Sequence, residues 1–190
     1  MKFISEKLIE INRELSELDL FAIDFIKVLR KHTKYVIISG YVSILLGRAR
    51  ASEDIDIIIP KITFSNFNAL FNELKKEGFY CLNSGTGENA YEYLSENIAL
   101  RFAKEGNVIP NMELKCAKSE IDDITLNKTI TVKIGNEELV ISHLELQIAF
   151  KEVVLKSPKD IEDARHIRNV AKGHLDEGLI ERYERVLHGI

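Results

Sequence analysis

The sequence predicts an α/β (α+β) fold, in which a mixed β-sheet is flanked by helices and followed by a C-terminal helical segment. Three features of the chain favour this fold. Residues 35–60 fit a strand–helix–strand unit, short strand-like apolar runs recur between residues 79 and 134, and helical spacing of apolar residues returns near the C-terminus.

Composition bounds the class of protein. The chain has 190 residues, of which 45% are apolar and only three are proline, so it can bury one substantial core. Its net charge of −4 argues against a protein coated in positive charge for sequence-independent nucleic-acid binding, and leaves a local basic groove open. Cys81 and Cys116 lack metal-ligand spacing and lie in strand-like segments, which favours free thiols in a reducing compartment. The N-terminal residues form no long apolar stretch, so we expect neither a signal peptide nor a spanning helix, and a cytoplasmic protein without a membrane partner.

The first sixty residues predict helices and then two buried strands. Apolar positions from Leu8 to Leu29 recur at helical spacing, which indicates two amphipathic helices or one interrupted helix. The β-branched run Tyr35–Ile38 predicts a strand that ends at a Ser39-Gly40 turn, and residues Tyr41–Leu46 then begin a helix. After the basic loop 47–51, the run Asp54–Ile59 predicts a second buried strand that stops at Pro60.

The middle of the chain predicts one helix and several short strands. The helix covers Phe64–Lys76 and ends before Gly78. The predicted strands are Phe79–Leu82, Tyr91–Leu94, Ile98–Ala103, Met112–Ala117 and Thr129–Ile134.

From Leu139 onward the pattern again favours helix. Ser142 and Glu145 have capping-box spacing, a second helix is predicted to start near Pro158, and a third spans roughly Gly178–Leu187. We therefore divide the chain into a core with N-terminal helices, residues 1–141, and a helical segment packed on it, residues 142–190.

Two aspartates in the second buried strand suggest a metal site. Successive side chains of a strand point to opposite faces, so Asp54 and Asp56 project together. Adjacent carboxylates repel each other unless a cation is present, and hard oxygen ligands suit Mg²⁺ or Mn²⁺. By the same alternation, Glu113 lies opposite the apolar stripe of its strand, and we take it as the third ligand. The alternative is a strand end at which the acidic side chains are simply solvated.

The Ser39-Gly40 turn is a candidate seat for phosphate groups. It lies between a strand and a helix, where backbone N–H groups are free, although a tight connection explains the same residues. Arg48 and Arg50 follow and could neutralise a triphosphate, because guanidinium groups bind phosphate in a forked geometry. Alternatively, Arg50 pairs with Glu53 or with an aspartate.

These motifs together resemble the DNA polymerase-β nucleotidyltransferase superfamily. The segment from Ile38-Ser39-Gly40 through a helix to Arg50-Ala51-Ser52-Glu53-Asp54-Ile55-Asp56 is similar to its small prokaryotic branch, which includes minimal nucleotidyltransferases and abortive-infection nucleotidyltransferase toxins. The branch has a strand, a Gly-Gly or Gly-Ser turn, a helix, and then Arg-x-Ser/Thr-x-Asp-hydrophobic-Asp. The resemblance covers residues 35–60 strongly and the tail more loosely, through Lys151 and the run Lys159-Asp160-Ile161-Glu162-Asp163.

The resemblance implies a nucleotidyltransferase core, an NTP substrate and specific roles for residues. Asp54 and Asp56 would hold Mg²⁺ or Mn²⁺, and Glu113 would be the third ligand or the base for the acceptor. Phosphate and nucleotide contacts would come from Ser39, Gly40, Arg50, Ser52 and Lys151. Because related toxins modify tRNA ends or proteins, the resemblance implies RNA or protein as the acceptor and a component of toxin–antitoxin type. The alternative for Lys151 is a surface lysine on an amphipathic helix.

Three hypotheses about function follow. The first is a metal-dependent enzyme that transfers a nucleoside monophosphate from an NTP to a hydroxyl group. The second is a catalytically silent protein of the same fold that binds nucleotide or a partner protein; it is favoured by Ser39, where the family more often has Gly, and by Glu113, where Asp is usual. The third keeps the α/β fold and treats Asp54 and Asp56 as ordinary residues at a strand edge.

Overall fold

The computed structural model describes residues 1–189, which form a nine-stranded mixed sheet with eight α-helices. The strands are β1 (Lys2–Ser5), β2 (Leu8–Ile11), β3 (Val36–Ile38), β4 (Asp54–Ile59), β5 (Phe79–Cys81), β6 (Leu100–Lys104), β7 (Asn111–Cys116), β8 (Thr129–Ile134) and β9 (Glu137–Ser142). The helices are α1 (Glu17–Leu29), α2 (Gly40–Leu45), α3 (Phe64–Lys76), α4 (Gly87–Ser95), α5 (Glu120–Asn127), α6 (Leu144–Phe150), α7 (Pro158–Val170) and α8 (Glu177–His188). A π-helical turn, Lys151–Leu155, continues α6.

The sheet has the strand order β1-β2-β8-β9-β3-β4-β7-β6-β5. The neighbouring strands β4 and β7 run parallel inside the sheet, and the central strand β3 pairs antiparallel with the other side of β4. The end of β3 and the starts of β4 and β7 therefore lie at one edge of the sheet.

The alternation of residues in β4 separates an apolar face of the sheet from a polar one. Ile55, Ile57 and Ile59 are fully buried, whereas Asp54 is exposed and Asp56 half-buried. On the apolar face, Phe102 of β6 packs against Phe25 of α1 and Phe71 of α3, with ring centroids 5.6 and 6.1 Å apart. The core thus lies between the isoleucine face and these helices, and the aspartates face away from it.

The N-terminus is a correction to the sequence prediction. Residues 2–11 form the β1–β2 hairpin rather than a helix, and helix α1 begins only at Glu17, where Ser16 and Asp19 form a capping box. Leu8-Ile9-Glu10-Ile11 also fits a strand, with Ile9 and Ile11 buried and Glu10 exposed. Parallel pairing with β8, more than 100 residues later, decides between the two patterns.

Three further parts of the chain also differ from the sequence prediction. The predicted strand Tyr91–Leu94 lies inside α4, whose N-cap is Thr86. Helix α5 was not predicted, although Ser119 and Asp122 form a capping box at its start. Residues Leu139–Ser142 belong to strand β9, and helix α6 follows an N-cap at His143 with no side-chain cap, so the predicted Ser142 capping box is wrong.

The predicted fold class is confirmed. The strand–helix–strand unit is present as β3, α2 and β4, and the segment from Leu144 to His188 is mainly helical. Cys81 and Cys116 lie in strands as free thiols. Burial raises the pKa of both thiols, that of Cys116 to about 11. Within residues 1–189, each helix is too short or too polar to cross a membrane.

Candidate active site

The two aspartates and the predicted third acid lie side by side on the polar face of the sheet. In the parallel pairing of β4 with β7, Asp56 is opposite Glu113 and Asp54 is opposite Asn111. Registered residues of neighbouring strands project from the same face, so Asp54, Asp56 and Glu113 share the polar face of the sheet, and we refer to these three acids as the carboxylate group. Glu113 is only 9% exposed, in contrast to Asp54.

A lysine that the sequence analysis missed lies between two of these acids. The Nζ atom of Lys115 is 2.8 Å from Oδ1 of Asp56 and 2.6 Å from Oε1 of Glu113. Arg101 of β6, which pairs with Glu113 across the strands, contributes a second contact of 3.0 Å to the Glu113 carboxylate. Lys115 was detectable in principle, because it is two residues from Glu113 and therefore shares its face.

The charges of these groups stabilise one another. Burial acts to raise the pKa of Glu113, but the nearby Lys115 and Arg101 outweigh it and hold that pKa below its ordinary value. Burial acts to lower the pKa of Lys115, but Asp56 and Glu113 outweigh it and raise that pKa. Glu113 is therefore an ionised carboxylate at neutral pH, and Lys115 is an ammonium ion.

The donor atoms suit a hard divalent cation if Lys115 moves away. Within residues 1–189, no three His, Cys, Asp or Glu side chains are close enough to hold a metal in their present arrangement. The ammonium of Lys115 nevertheless shows that Asp56 and Glu113 converge on a cation. Asn111, opposite Asp54, has a buried Oδ1 atom that accepts no hydrogen bond from the described residues. Carboxylate and amide oxygens are ligands that Mg²⁺ and Mn²⁺ accept.

The Ser39-Gly40 turn follows directly on the strand residue that is in register with Asp56. Ile38 is the register partner of Asp56, so the turn lies at the same edge of the sheet as the carboxylate group. Ser39 has φ 64° and ψ −136°, a conformation that favours glycine, and its side chain makes no cap hydrogen bond to α2. The turn is thus a strained connection beside the acids.

Gly40 provides room for Arg50. A Cβ atom at position 40 would lie 3.0 Å from Nη2 of Arg50, closer than an ordinary van der Waals contact. The guanidinium group therefore lies against the bare turn at which a phosphate was expected. Its Nη1 atom donates to Oδ2 of Asp163 at 2.7 Å, so the alternative that Arg50 pairs with an aspartate holds in this structure.

Asp163 forms ion pairs with the basic side chains of the predicted nucleotide site. Its carboxylate binds Arg48 and Arg50 from the loop after α2 and Lys151 from the π-helical turn, the last at 2.9 Å. Lys151 is 1% exposed and also lies 3.6 Å from Asp160, so it is not a surface lysine. We call Arg48, Arg50, Lys151, Asp160 and Asp163 the Asp163 cluster.

The local sequence of α7 positions the acids of this cluster. Ser157 caps the helix, Pro158 occupies its first turn, and Asp160 and Asp163 are three residues apart on one face. Burial acts to raise the pKa of Asp163, but Lys151, Arg48 and Arg50 outweigh it and lower that pKa. His166, one turn later, contacts the carbonyl of Leu46 rather than Asp163.

Ser52 lies on the approach to β4. Its hydroxyl donates to the carbonyl oxygen of Asp54 at 3.0 Å and lies 3.4 Å from Oδ1 of the same residue. In this structure Ser52 fixes the backbone just before the first aspartate. Its predicted nucleotide contact stays a prediction.

Three solved structures are similar to this chain over most of its length. An antigenic nucleotidyltransferase-like protein from Paracoccidioides brasiliensis has 18% identity and a TM-score of 0.53 over 91% of this chain and 88% of its own. The solution structure of the antibiotic-resistance factor ANT(2″)-Ia has 14% identity and a TM-score of 0.58 over 90% of each chain. The crystal structure of ANT(2″)-Ia with adenylyl-2″-tobramycin has 14% identity and a TM-score of 0.55 over 92% of this chain and 98% of its own.

These similarities identify the fold as that of nucleotidyltransferases, as the sequence resemblance implied. No family model matches the chain, and a search of curated proteins finds no match either.

Proposed function

We propose that this protein transfers a nucleoside monophosphate from an NTP to a hydroxyl group on RNA or protein, with the help of Mg²⁺ or Mn²⁺. The observation that carries the proposal is the pairing of Asp56 with Glu113 on neighbouring parallel strands. Their two carboxylates hold the ammonium of Lys115 between them. The site lies beside a strand–turn–helix connection in a nucleotidyltransferase fold.

The carboxylate group is the proposed metal site. Asp54, Asp56 and Glu113 would hold the ion, which when bound neutralises charge on the phosphates. The reaction is an in-line displacement: the acceptor oxygen forms a bond to the α-phosphorus, and the bond from that phosphorus to the bridging oxygen breaks. Pyrophosphate leaves with the electron pair, and the hydroxyl proton goes to solvent water. The lowered pKa of Glu113 suits a metal ligand better than a general base.

The Asp163 cluster is the proposed source of positive charge for the triphosphate. Arg48, Arg50 and Lys151 share one fully buried carboxylate, and the Arg50 guanidinium already lies against Gly40. A phosphate at the turn would therefore meet Arg50 without a large movement of the backbone. Ser52 would contribute a hydroxyl donor next to Asp54.

A second candidate is a nucleotide-binding protein without turnover. Lys115 lies where a metal would bind. The cations that would bind phosphate are already paired with Asp163. If Lys115 and Asp163 keep these contacts, the protein would bind nucleotide or a partner protein without transferring a nucleotide.

The identity of the acceptor must be tested with several classes of acceptor in parallel. The resemblance of residues 35–60 to minimal nucleotidyltransferases and abortive-infection toxins favours tRNA and protein. One similar structure contains an adenylylated aminoglycoside, tobramycin, which makes an aminoglycoside the informative third acceptor.

The test is label transfer from each α-³²P-labelled NTP, with Mg²⁺ or Mn²⁺, to tRNA, to cellular protein or to tobramycin. We expect labelled RNA or protein from the natural chain, and loss of the label in Asp56→Asn. The matched control is Asp123→Asn, at an exposed position of α5, which should transfer label normally. Nucleotide binding without transfer to any acceptor would support the second candidate. A labelled aminoglycoside alone would correct the acceptor class.

The proposed toxin role has its own measurement. Induced expression of the natural chain in a bacterial host should arrest growth, whereas Asp56→Asn should leave growth unaffected at equal protein level. Equal growth with both proteins would contradict a toxin role and leave the transferase proposal to the labelling assay.

A further inference from the structure

The position of Lys115 has a consequence for metal binding. Lys115 follows Glu113 by two residues in β7, and its register partner in β4 is Ile58, two residues beyond Asp56. Its ammonium therefore reaches back along the polar face to the pair Asp56 and Glu113, at 2.8 and 2.6 Å. It occupies the space between the two carboxylates.

The two cations near Glu113 are placed differently. Among the acids of residues 1–189, the Arg101 guanidinium pairs with Glu113 alone, and the Arg101 side chain is 57% exposed, so it lies at the outside of the carboxylate group. Lys115 touches both carboxylates that a metal would need. A divalent ion can therefore bind beside Arg101, but it must take the place of Lys115.

We propose that Lys115 is a built-in counter-ion that competes with the divalent metal for Asp56 and Glu113, so that metal enters the site together with the nucleotide. This inference rests on the proposed function for the identity of the metal-binding residues. A free metal ion has to displace the ammonium and leave it without a partner. A metal–NTP complex brings phosphate groups, which give the displaced ammonium a new partner.

The competition makes metal and nucleotide binding mutually dependent. The natural chain with NTP bound should bind Mn²⁺ more tightly than NTP alone binds Mn²⁺. The reason is that the phosphates become a new partner for the displaced Lys115 ammonium. Without Lys115, Mn²⁺ should bind to the free protein, and this dependence should become weaker.

The test is Mn²⁺ binding to the nucleotide-free protein, measured by calorimetry and by the electron paramagnetic resonance signal of free Mn²⁺. Lys115→Met should bind Mn²⁺ about tenfold or more tightly than the natural chain, because one competing charge at contact distance is removed. The matched control is Arg101→Met, which removes the same charge from Glu113 without emptying the space between the carboxylates; its gain should be clearly smaller. Adding Asp56→Asn to Lys115→Met should abolish the gain.

Two results would overturn the inference. One is a Lys115→Met protein that binds Mn²⁺ no more tightly than the natural chain, and the other is an equal gain in Arg101→Met. Circular dichroism verifies folding, and Lys115→Gln serves as the second variant if Lys115→Met fails to fold. These readouts involve no label transfer, so failure of the transferase proposal leaves them interpretable.

Discussion

Lys151 and Asp163 form an ion pair of 2.9 Å in which neither side chain is more than 1% exposed. The lysine comes from the π-helical turn after α6, and the aspartate comes from α7. Arg48 and Arg50 join Asp163 from a loop more than 110 residues earlier in the chain. One carboxylate thus connects the loop before β4 with the C-terminal helices.

The first prediction concerns the stability of this connection. Asp163→Asn should lower the free energy of unfolding by about 3–5 kcal/mol, because it removes the carboxylate that Arg48, Arg50 and Lys151 share and leaves the buried Lys151 ammonium with only its longer contact to Asp160. Lys151→Met should cost less, about 1–2 kcal/mol, since Asp163 keeps both arginines. Urea denaturation measures both changes.

The control for this prediction is Lys133→Met. Lys133 pairs with Glu138 at 3.2 Å, and both side chains are about half exposed, so its loss should cost less than about 1 kcal/mol. If Asp163→Asn costs no more than this surface variant, the cluster has no structural role.

The second prediction concerns Gly40. In Gly40→Ala, the new Cβ would lie 3.0 Å from the Arg50 guanidinium, which is the flexible end of a side chain and can move. Stability should therefore change by less than about 1 kcal/mol. The affinity for Mg²⁺–NTP should fall about tenfold, since Arg50 leaves the turn and a methyl group takes the place of a phosphate.

Calorimetry with Mg²⁺–NTP measures the effect of Gly40→Ala. Gly85→Ala is the matched control, because no atom lies within 4 Å of a Cβ at that position. Equal affinities of the two variants would show that the turn does not contact the phosphates.

The fold was predictable where a local pattern and its tertiary environment agree. The bounds of β4, α3 and β8 were predicted as the structure has them, because each is a clear apolar run or a clear periodic segment. The strand at Leu8–Ile11 was not predicted, since its short apolar run fits a helix or a strand equally well. Pairing with the distant β8 determines that it is a strand. Tyr91–Leu94 shows the converse error, because aromatic residues suggest a strand inside a capped helix.

The site was predictable only in part, because its contacts depend on tertiary pairing as well as on local patterns. Alternation within one strand placed Glu113 on a polar face, and the parallel register then put it opposite Asp56. The contact of Lys115 with both acids depends on that register, which the sequence does not show. The convergence of Arg50 and Lys151 on Asp163 requires the docking of α7, so the sequence could only suggest a nucleotide role for each residue separately.

The third prediction concerns strain at Ser39. Its φ of 64° with ψ −136° is a conformation that glycine adopts more easily than serine. Ser39→Gly should therefore raise the free energy of unfolding by about 1 kcal/mol, as relief of backbone strain exceeds the added entropy of the unfolded chain. Thermal and urea denaturation measure the gain.

Ser39→Ala is the control, because it removes the hydroxyl group and keeps the Cβ atom responsible for the strain. Its stability should stay within about 0.5 kcal/mol of the natural chain. If alanine stabilises as much as glycine, the cause is the hydroxyl group and not the backbone.

The fourth prediction concerns the pH dependence that Asp19 gives to this part of the fold. Asp19 is fully buried and accepts hydrogen bonds from Arg13, from the backbone of Ser16 and from the Tyr41 hydroxyl, the last at 2.7 Å. Tyr41 directly follows Gly40, so the network holds α2 and its turn against α1. Burial acts to raise the pKa of Asp19, but these partners outweigh it and lower the pKa from 3.8 to about 2.

A carboxylate with a lower pKa in the folded state stabilises the fold above its unfolded pKa and loses that contribution as the pH falls through its folded pKa. The natural chain should therefore lose up to about 2 kcal/mol through Asp19 between pH 4 and pH 2, whereas Asp19→Asn should be less stable at pH 7 and show a flatter profile in that window. Urea denaturation at a series of pH values measures both slopes. Asp24→Asn, an exposed position on the same helix, should keep the slope of the natural chain. A profile for Asp19→Asn as steep as that of Asp24→Asn would place the acid sensitivity elsewhere in the molecule.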